Sequence, residues 1–110
     1  MEPISYDDFA KLDIRIGRVE IAERVPDTDK LIKCVVDFGE LGKRTIVSGI
    51  ALYRTPEDLI GKTLPYIVNL APRVIKGIES QGMLLALSFG ENDFAFLVPD
   101  KDVPPGTKAK

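Results

Sequence analysis

The stretch LDIRIGRVEI, residues 12–21, constrains the fold more than any other part of the chain. Leu12, Ile14 and Ile16 alternate with polar neighbours, which is the period of a half-buried strand. Beyond Gly17 the apolar parity changes to Val19 and Ile21, so a regular strand cannot keep both sets on one side. A bulge or sharp bend at Gly17 resolves the conflict. Strands that bend at a glycine are what a small barrel needs to turn its corners. A barrel is therefore expected in preference to a flat sheet.

The remaining segments supply short elements in an order that suits this architecture. Ser5, with Asp8 three residues on, reads as a capping box that starts a helix through about Lys11. LIKCVVDFG and RTIVSGI, separated by ELGK, read as an antiparallel hairpin. Thr55 as N-cap, Pro56 in the first helical position, Asp58 closing the box and Gly61 as the stop predict a helix of about two turns. TLPYIVNL reads as a strand with Leu64, Tyr66, Val68 and Leu70 on one face, and MLLALSF and FAFLV as a closing hairpin across GEND. The tail PDKDVPPGTKAK reads as turns. Three strands, a helix, a fourth strand and a final pair predict an all-β Greek-key barrel of the OB type, with short helices and terminal extensions. An SH3-like barrel or small sandwich is the alternative. One domain spanning residues 1–110 is expected at this length.

Composition removes several kinds of chemistry. Histidine is absent, and with it the commonest general base and the commonest transition-metal ligand. Cys34 is the only cysteine and, within LIKCVVDF, reads as a small buried apolar residue. The acid pairs of DTD and SYDDF read as turn and cap residues, and GIESQG lacks the following helix and Lys-Ser/Thr ending of a phosphate loop. No catalysis, cofactor or metal is expected. No apolar run approaches the ~18 residues of a membrane span. The acidic start MEPISYDDF is unlike a secretory signal, so a cytoplasmic location is expected, and the initial methionine suggests a stand-alone product.

Charge is distributed unevenly. The net charge is −2, yet residues 15–76 hold eleven Lys or Arg against eight Asp or Glu, while both flanks are acidic. A local cationic surface is thus compatible with an acidic whole. In an OB barrel nucleic acid lies across the strand 2 and 3 face, flanked by the loops after strands 1 and 4. Those loops are ERVPDTDK (residues 23–30) and APRVIKGIESQG (residues 71–82). They are expected to converge and to bring Lys30, Lys33, Arg44, Arg73 and Lys76 together with Asn69, Ser80 and Gln81. The acid, hydroxyl and amide between the glycines of GIESQGM exceed what a plain turn requires, although a purely structural loop remains the alternative. Phe9, Phe38, Phe89, Phe94, Phe96 and Tyr66 are expected in the core. With no tryptophan either, recognition of a folded RNA by shape fits better than base stacking.

ISYDDFAKLDIRIGRV, DKL, DFG, SGI, LIGK, NLAPR, SQGM and PPGTK, in this order over residues 4–110, resemble the tRNA-binding domain family. That family includes the C-terminal domains of many methionyl-tRNA synthetases and free-standing dimeric tRNA-binding proteins. The resemblance implies an OB-fold homodimer that holds the outer, elbow side of tRNA without reading its sequence. It implies RNA contacts at Lys30, Asn69, Arg73, Ser80, Gln81 and Met83, to which charge and loop position add Lys33, Arg44 and Lys76. It also implies a dimer interface including Leu12, Ile14 and Ile16, and a possible catalytic methionyl-tRNA synthetase chain as partner. The related export chaperone CsaA, which holds unfolded polypeptide, supplies the second reading. SQGM, residues 80–83, is the version seen in the tRNA-binding branch.

Overall fold

The computed structural model describes residues 1–110. In chain order the elements are α1 (Tyr6–Ala10), β1 (Ile14–Arg24), β2 (Ile32–Asp37), a 3-10 turn (Gly39–Leu41), β3 (Lys43–Ser48), α2 (Pro56–Leu59) and β4 (Thr63–Ile67). They continue with β5 (Arg73–Ile75), β6 (Ile78–Ser80), β7 (Met83–Leu84), β8 (Ala86–Phe89) and β9 (Asp93–Phe96). Five strands form an antiparallel sheet in the order β3-β2-β1-β4-β7, and β5–β6 and β8–β9 form separate hairpins.

The eleven-residue β1 strand explains the curl. Its first half pairs with β4, from Ile14↔Ile67 to Arg18↔Thr63, and its second half pairs with β2, from Arg18↔Asp37 to Arg24↔Ile32. A strand that serves one neighbour and then the other rolls the sheet into an OB-like barrel. Alternation on β2 sends Ile32, Cys34 and Val36 inward, where Ile46, Leu64, Phe38 and Tyr66 meet them. The rings of Phe38 and Tyr66 pack edge to face at 5.5 Å.

The parity change along β1 has a different cause from the one expected. Gly17 keeps its register opposite Leu64, and the bulge falls at Glu20, where the pairing steps from Val19↔Val36 to Ile21↔Val35. Ile14 and Ile16 lie on the sheet face opposite that of Gly17 and Val19, so the change of parity is a change of face. Gly17 is required by proximity instead. A Cβ there would sit 2.5 Å from both Phe38 Cε1 and Val36 Cγ1.

Both helices are single turns. Thr55 and Asp58 form the full reciprocal capping box of α2, and Gly61 follows at φ +86°. At α1 only half of the box forms: Ser5 Oγ accepts from the Asp8 N–H at 3.1 Å, while the Asp8 carboxylate accepts from Lys11 Nζ at 3.2 Å. Leu70 and the rings of Phe9 and Phe89 are exposed, whereas Phe94 and Phe96 pack against the core as expected. The run MLLALSF divides at Leu85, whose N–H donates to the Pro65 carbonyl at 3.0 Å, between β7 and β8.

The tail is more than turns. Where β2 has left β1, residues 106–109 take its place: Ile16 N–H donates to Thr107 O at 2.8 Å, Gly106 N–H to Ile16 O at 2.7 Å and Ala109 N–H to Ile14 O at 2.8 Å. Arg15 reinforces this closure. Its guanidinium donates to both Asp13 carboxylate oxygens, at 2.8 and 3.3 Å, and to Gly106 O at 3.2 Å.

Cys34 is 4% exposed, and burial pushes its thiol up to about 11. The fold therefore favours the neutral thiol, and this contribution to stability is lost as pH rises above the unfolded thiol's range of about 8.5. At pH 8 a thiol reagent is expected to label Cys34 only as fast as the protein unfolds, with labelling and denaturant unfolding sharing one midpoint. Immediate stoichiometric labelling of the folded protein would contradict its burial.

Candidate functional site

The segment after β4, expected as a loop, is a hairpin stitched to the edge of the barrel. Ile75 faces Ile78 across a two-residue tip, Lys76-Gly77, with φ of +50° and +79°. Two positive φ values in succession are those of a type I′ turn, whose twist matches the flanking strands. The Ser80 hydroxyl accepts from the Val47 N–H at 3.0 Å and donates to Gly82 O at 3.4 Å. Gln81 exchanges two bonds with Thr45: its N–H donates to the Thr45 carbonyl at 2.8 Å, and its side-chain Oε1 accepts from the Thr45 N–H at 3.1 Å. These side chains do for the free edge of β3 what a neighbouring strand's backbone would do. Gly82 completes the seam, because a Cβ there would lie 3.0 Å from both Ile67 O and Ile46 Cδ1.

This seam sets the second expected segment, residues 71–82, against β3 and so beside the outer side of β2. On the outer side of the sheet Lys33 stands in register with Val47, the residue whose N–H is bound to Ser80. Val47 in turn lines a shallow depression with Leu70, Arg73 and Met83. Lys33, Arg73 and Met83 therefore surround Val47, with Ser80 and Gln81 holding the hairpin in place. Lys30 lies in the loop between β1 and β2, where its carbonyl accepts from Ala51 N–H at 2.8 Å and ties that loop to the segment after β3. Lys76 is exposed at the hairpin tip.

Two candidates are engaged with the chain's own backbone. Arg44 pairs with Val36, so it has inward parity, and its Nη1 donates to the Val68 carbonyl at the barrel end. Asn69 clamps the approach to β1, accepting from Asp13 N–H at 2.8 Å and donating to Lys11 O at 2.7 Å. Of the expected cations, Lys33 forms an ion pair with Glu23 at 3.2 Å, while Lys30, Arg73 and Lys76 form none. No group of three or more Cys, Asp or Glu is arranged to hold a metal ion, and no helix is long and apolar enough to cross a membrane.

A second surface was only partly legible in the sequence. Ile14 and Ile16 line an open apolar groove of about 470 Å³ together with Pro65, Leu85, Leu97 and Val103. Leu12 is exposed in the segment that leads into β1. Leu85 carried no signal of its own, because it lies inside MLLAL, residues 83–87, in which every residue is apolar.

A small OB-type barrel with a docked polar hairpin beside its second and third strands and an apolar groove elsewhere defines the class. Residues 14–108 match the family described as "Putative tRNA binding domain", and the chain belongs to that family. The methionine--tRNA ligase of Parabacteroides distasonis is 50% identical over 109 residues, covering 99% of this chain and 16% of that protein. The methionine--tRNA ligase of Methanosarcina mazei is 45% identical over 107 residues, covering 97% of this chain and 15% of that protein. The chain thus spans about a sixth of the length of these relatives. Among solved structures, the MetRS related protein from Pyrococcus horikoshii is 40% identical with a TM-score of 0.94, over the whole of both chains. The chaperone CsaA from Bacillus anthracis is 35% identical with a TM-score of 0.90, covering 99% of this chain and all of that one.

Proposed function

We propose that this chain is a non-catalytic, cytoplasmic tRNA-binding protein that grips the contour of tRNA largely without reading its sequence, and that it works as a homodimer. The observation that carries the reading is the clustering of Lys33, Arg73 and Met83 around Val47, with the unpaired Lys76 next to the lining residue Ile75 at the hairpin tip. Phosphate contacts fix register and orientation but carry no sequence information. Folded RNA offers phosphates, 2′-hydroxyls and shape rather than accessible base edges. In this reading Lys30, Lys33, Arg73 and Lys76 meet phosphates, and Met83 and the free amide nitrogen of Gln81 meet sugar or an exposed base. Ser80, whose hydroxyl is occupied at both ends, positions the hairpin. Arg44 and Asn69 contribute through the backbone they brace.

The dimer would bury the groove around Ile14 and Ile16 with Leu12 beside it. Two cationic faces on one particle raise the effective concentration of the second face once the first has bound. Kinship with methionine--tRNA ligases supports a role as a separate subunit, of the beta-subunit type, that presents tRNA to a catalytic methionyl-tRNA synthetase chain, or as a free-standing tRNA-binding factor. The second reading, a CsaA-like export chaperone for unfolded polypeptide, draws on the apolar lining of the depression by Val47, Leu70 and Met83.

One titration separates the two readings. Unfractionated tRNA and an unfolded peptide are each titrated at two salt concentrations. The tRNA reading expects tRNA binding whose logarithm falls steeply with the logarithm of salt, with a slope of roughly −0.7 to −0.9 for each phosphate neutralised. Peptide binding with no affinity for tRNA would establish the chaperone instead. In the same preparation Ile16→Glu is expected to halve the mass seen by light scattering. An unchanged dimer would remove the groove from the interface.

A further inference from the structure

The cations of the sheet face are already neutralised from within. On the outer surface of β2 and β3 the two lysines are Lys33 and Lys43, and both are held by acids from β1. Lys33 Nζ lies 3.2 Å from Glu23 Oε1, its registered neighbour. Lys43 Nζ reaches across β2 to Glu20 Oε1 at 2.9 Å. Glu20 is the extra residue of the bulge, so the same irregularity that bends β1 supplies one of the two acids. Lys33 stands in register with Val47, which lines the depression with Arg73 and Met83, whereas Lys43 lies four residues from Val47 along β3, roughly 13 Å away at strand spacing.

Resting on the tRNA reading above, we propose that Glu23 limits affinity for nucleic acid: it occupies Lys33 in an internal ion pair that an RNA phosphate must displace, and its carboxylate opposes the incoming phosphate. The pair is partly exposed, with the Glu23 side chain 59% and that of Lys33 35% accessible, so solvent screens it, it contributes little to folding and it is readily exchanged. Its effect falls on binding. A lysine that enters a phosphate contact already neutralised releases fewer counterions than a free one, so the salt dependence of the unsubstituted protein understates the number of phosphates it touches. Such a residue sets a ceiling on affinity and keeps a protein that handles many tRNAs from retaining any of them too long.

The test compares Glu23→Gln with Glu20→Gln in the full chain, using unfractionated tRNA over a range of salt. Both substitutions change the net charge by the same amount, so long-range attraction rises equally. Only the first frees a cation inside the proposed site. Glu23→Gln is expected to tighten binding about threefold to fivefold beyond Glu20→Gln and to steepen the logarithmic salt slope by up to about one phosphate equivalent. Adding Lys33→Met to Glu23→Gln is expected to abolish that excess. Equal affinities for Glu23→Gln and Glu20→Gln, or an excess that survives Lys33→Met, would overturn the proposal while leaving the tRNA reading intact. Absence of any tRNA binding by the unsubstituted protein would overturn both.

Discussion

Gly106→Ala is expected to destabilise the protein by about 2–5 kcal/mol and to release the C-terminal tail from β1. Gly106 has φ +91°, where a side chain costs about 1–2 kcal/mol. Its Cβ would lie 2.4 Å from the Phe38 carbonyl oxygen and 3.2 Å from the carbonyl carbon, both backbone atoms that no rotamer change can move. Relief requires the 3-10 turn or the tail to shift, at a cost similar to overpacking elsewhere, about 1–3 kcal/mol. The reciprocal position behaves alike: Gly39 has φ +66°, and its Cβ would meet the Pro105 carbonyl oxygen at 2.6 Å. The chain crosses itself here with two glycines back to back. Because residues 106–109 pair with Ile14 and Ile16, the crossing also shapes the apolar groove. Urea unfolding should show Gly106→Ala and Gly39→Ala each lowering the midpoint substantially, with the double variant falling short of the sum because one separation of the two segments relieves both clashes. A midpoint within error of the unsubstituted protein for either would mean that the crossing is loose.

These glycines mark the limit of what is written locally in the sequence. Ile32, Cys34 and Val36 could be assigned to the core because a strand with one buried face announces itself by alternation. Thr55-Pro56-Glu57-Asp58 could be assigned to a helix start because every atom of a capping box lies within four residues. The tail could not be read this way. Its pairing with β1 rests on three backbone hydrogen bonds, which leave no side-chain signature, and its glycine answers to Phe38, far away in sequence between β2 and β3. Gly17 is similar: the parity change beside it suggested a bulge, whereas its reason is the Phe38 ring.

The candidate site was legible in position more than in role. SQGM stands where the hairpin is bonded to β3, and its hydroxyl and amide make those bonds. A polar side chain in a connecting segment, however, serves equally well for a ligand or for the chain's own backbone, and only the location of the partner decides. Ser80 finds its partner 33 residues away, and Asn69 finds its partners 56 and 58 residues away. The ion pair of Lys33 was hidden for a related reason, since Glu23 comes opposite it only once the bulge at Glu20 has advanced the register. Charge counting treats Lys33 and Arg73 as equals. The fold separates them into an occupied cation and a free one.

That separation sets the largest effect expected on binding. Arg73 and Lys76 form no ion pair and project from a hairpin whose attachment to β3 runs through Ser80 and Gln81. The double substitution Arg73→Ala/Lys76→Ala is expected to weaken tRNA binding on the order of 10- to 100-fold, uniformly across tRNAs, and to reduce the salt slope by about two phosphate equivalents, with unfolding unchanged. Ser80→Ala acts by a different route. It leaves the buried N–H of Val47 without its partner, so it should cost about 1–3 kcal/mol of stability and weaken binding through a loosened hairpin, while the salt slope stays nearly the same because no cation has been removed. Comparing the two slopes, rather than the two affinities, distinguishes contact from positioning. Were Arg73→Ala/Lys76→Ala to bind with unaltered affinity and slope, the hairpin would lie outside the RNA footprint, and the cationic face would have to be sought around Lys30 and Lys33 alone.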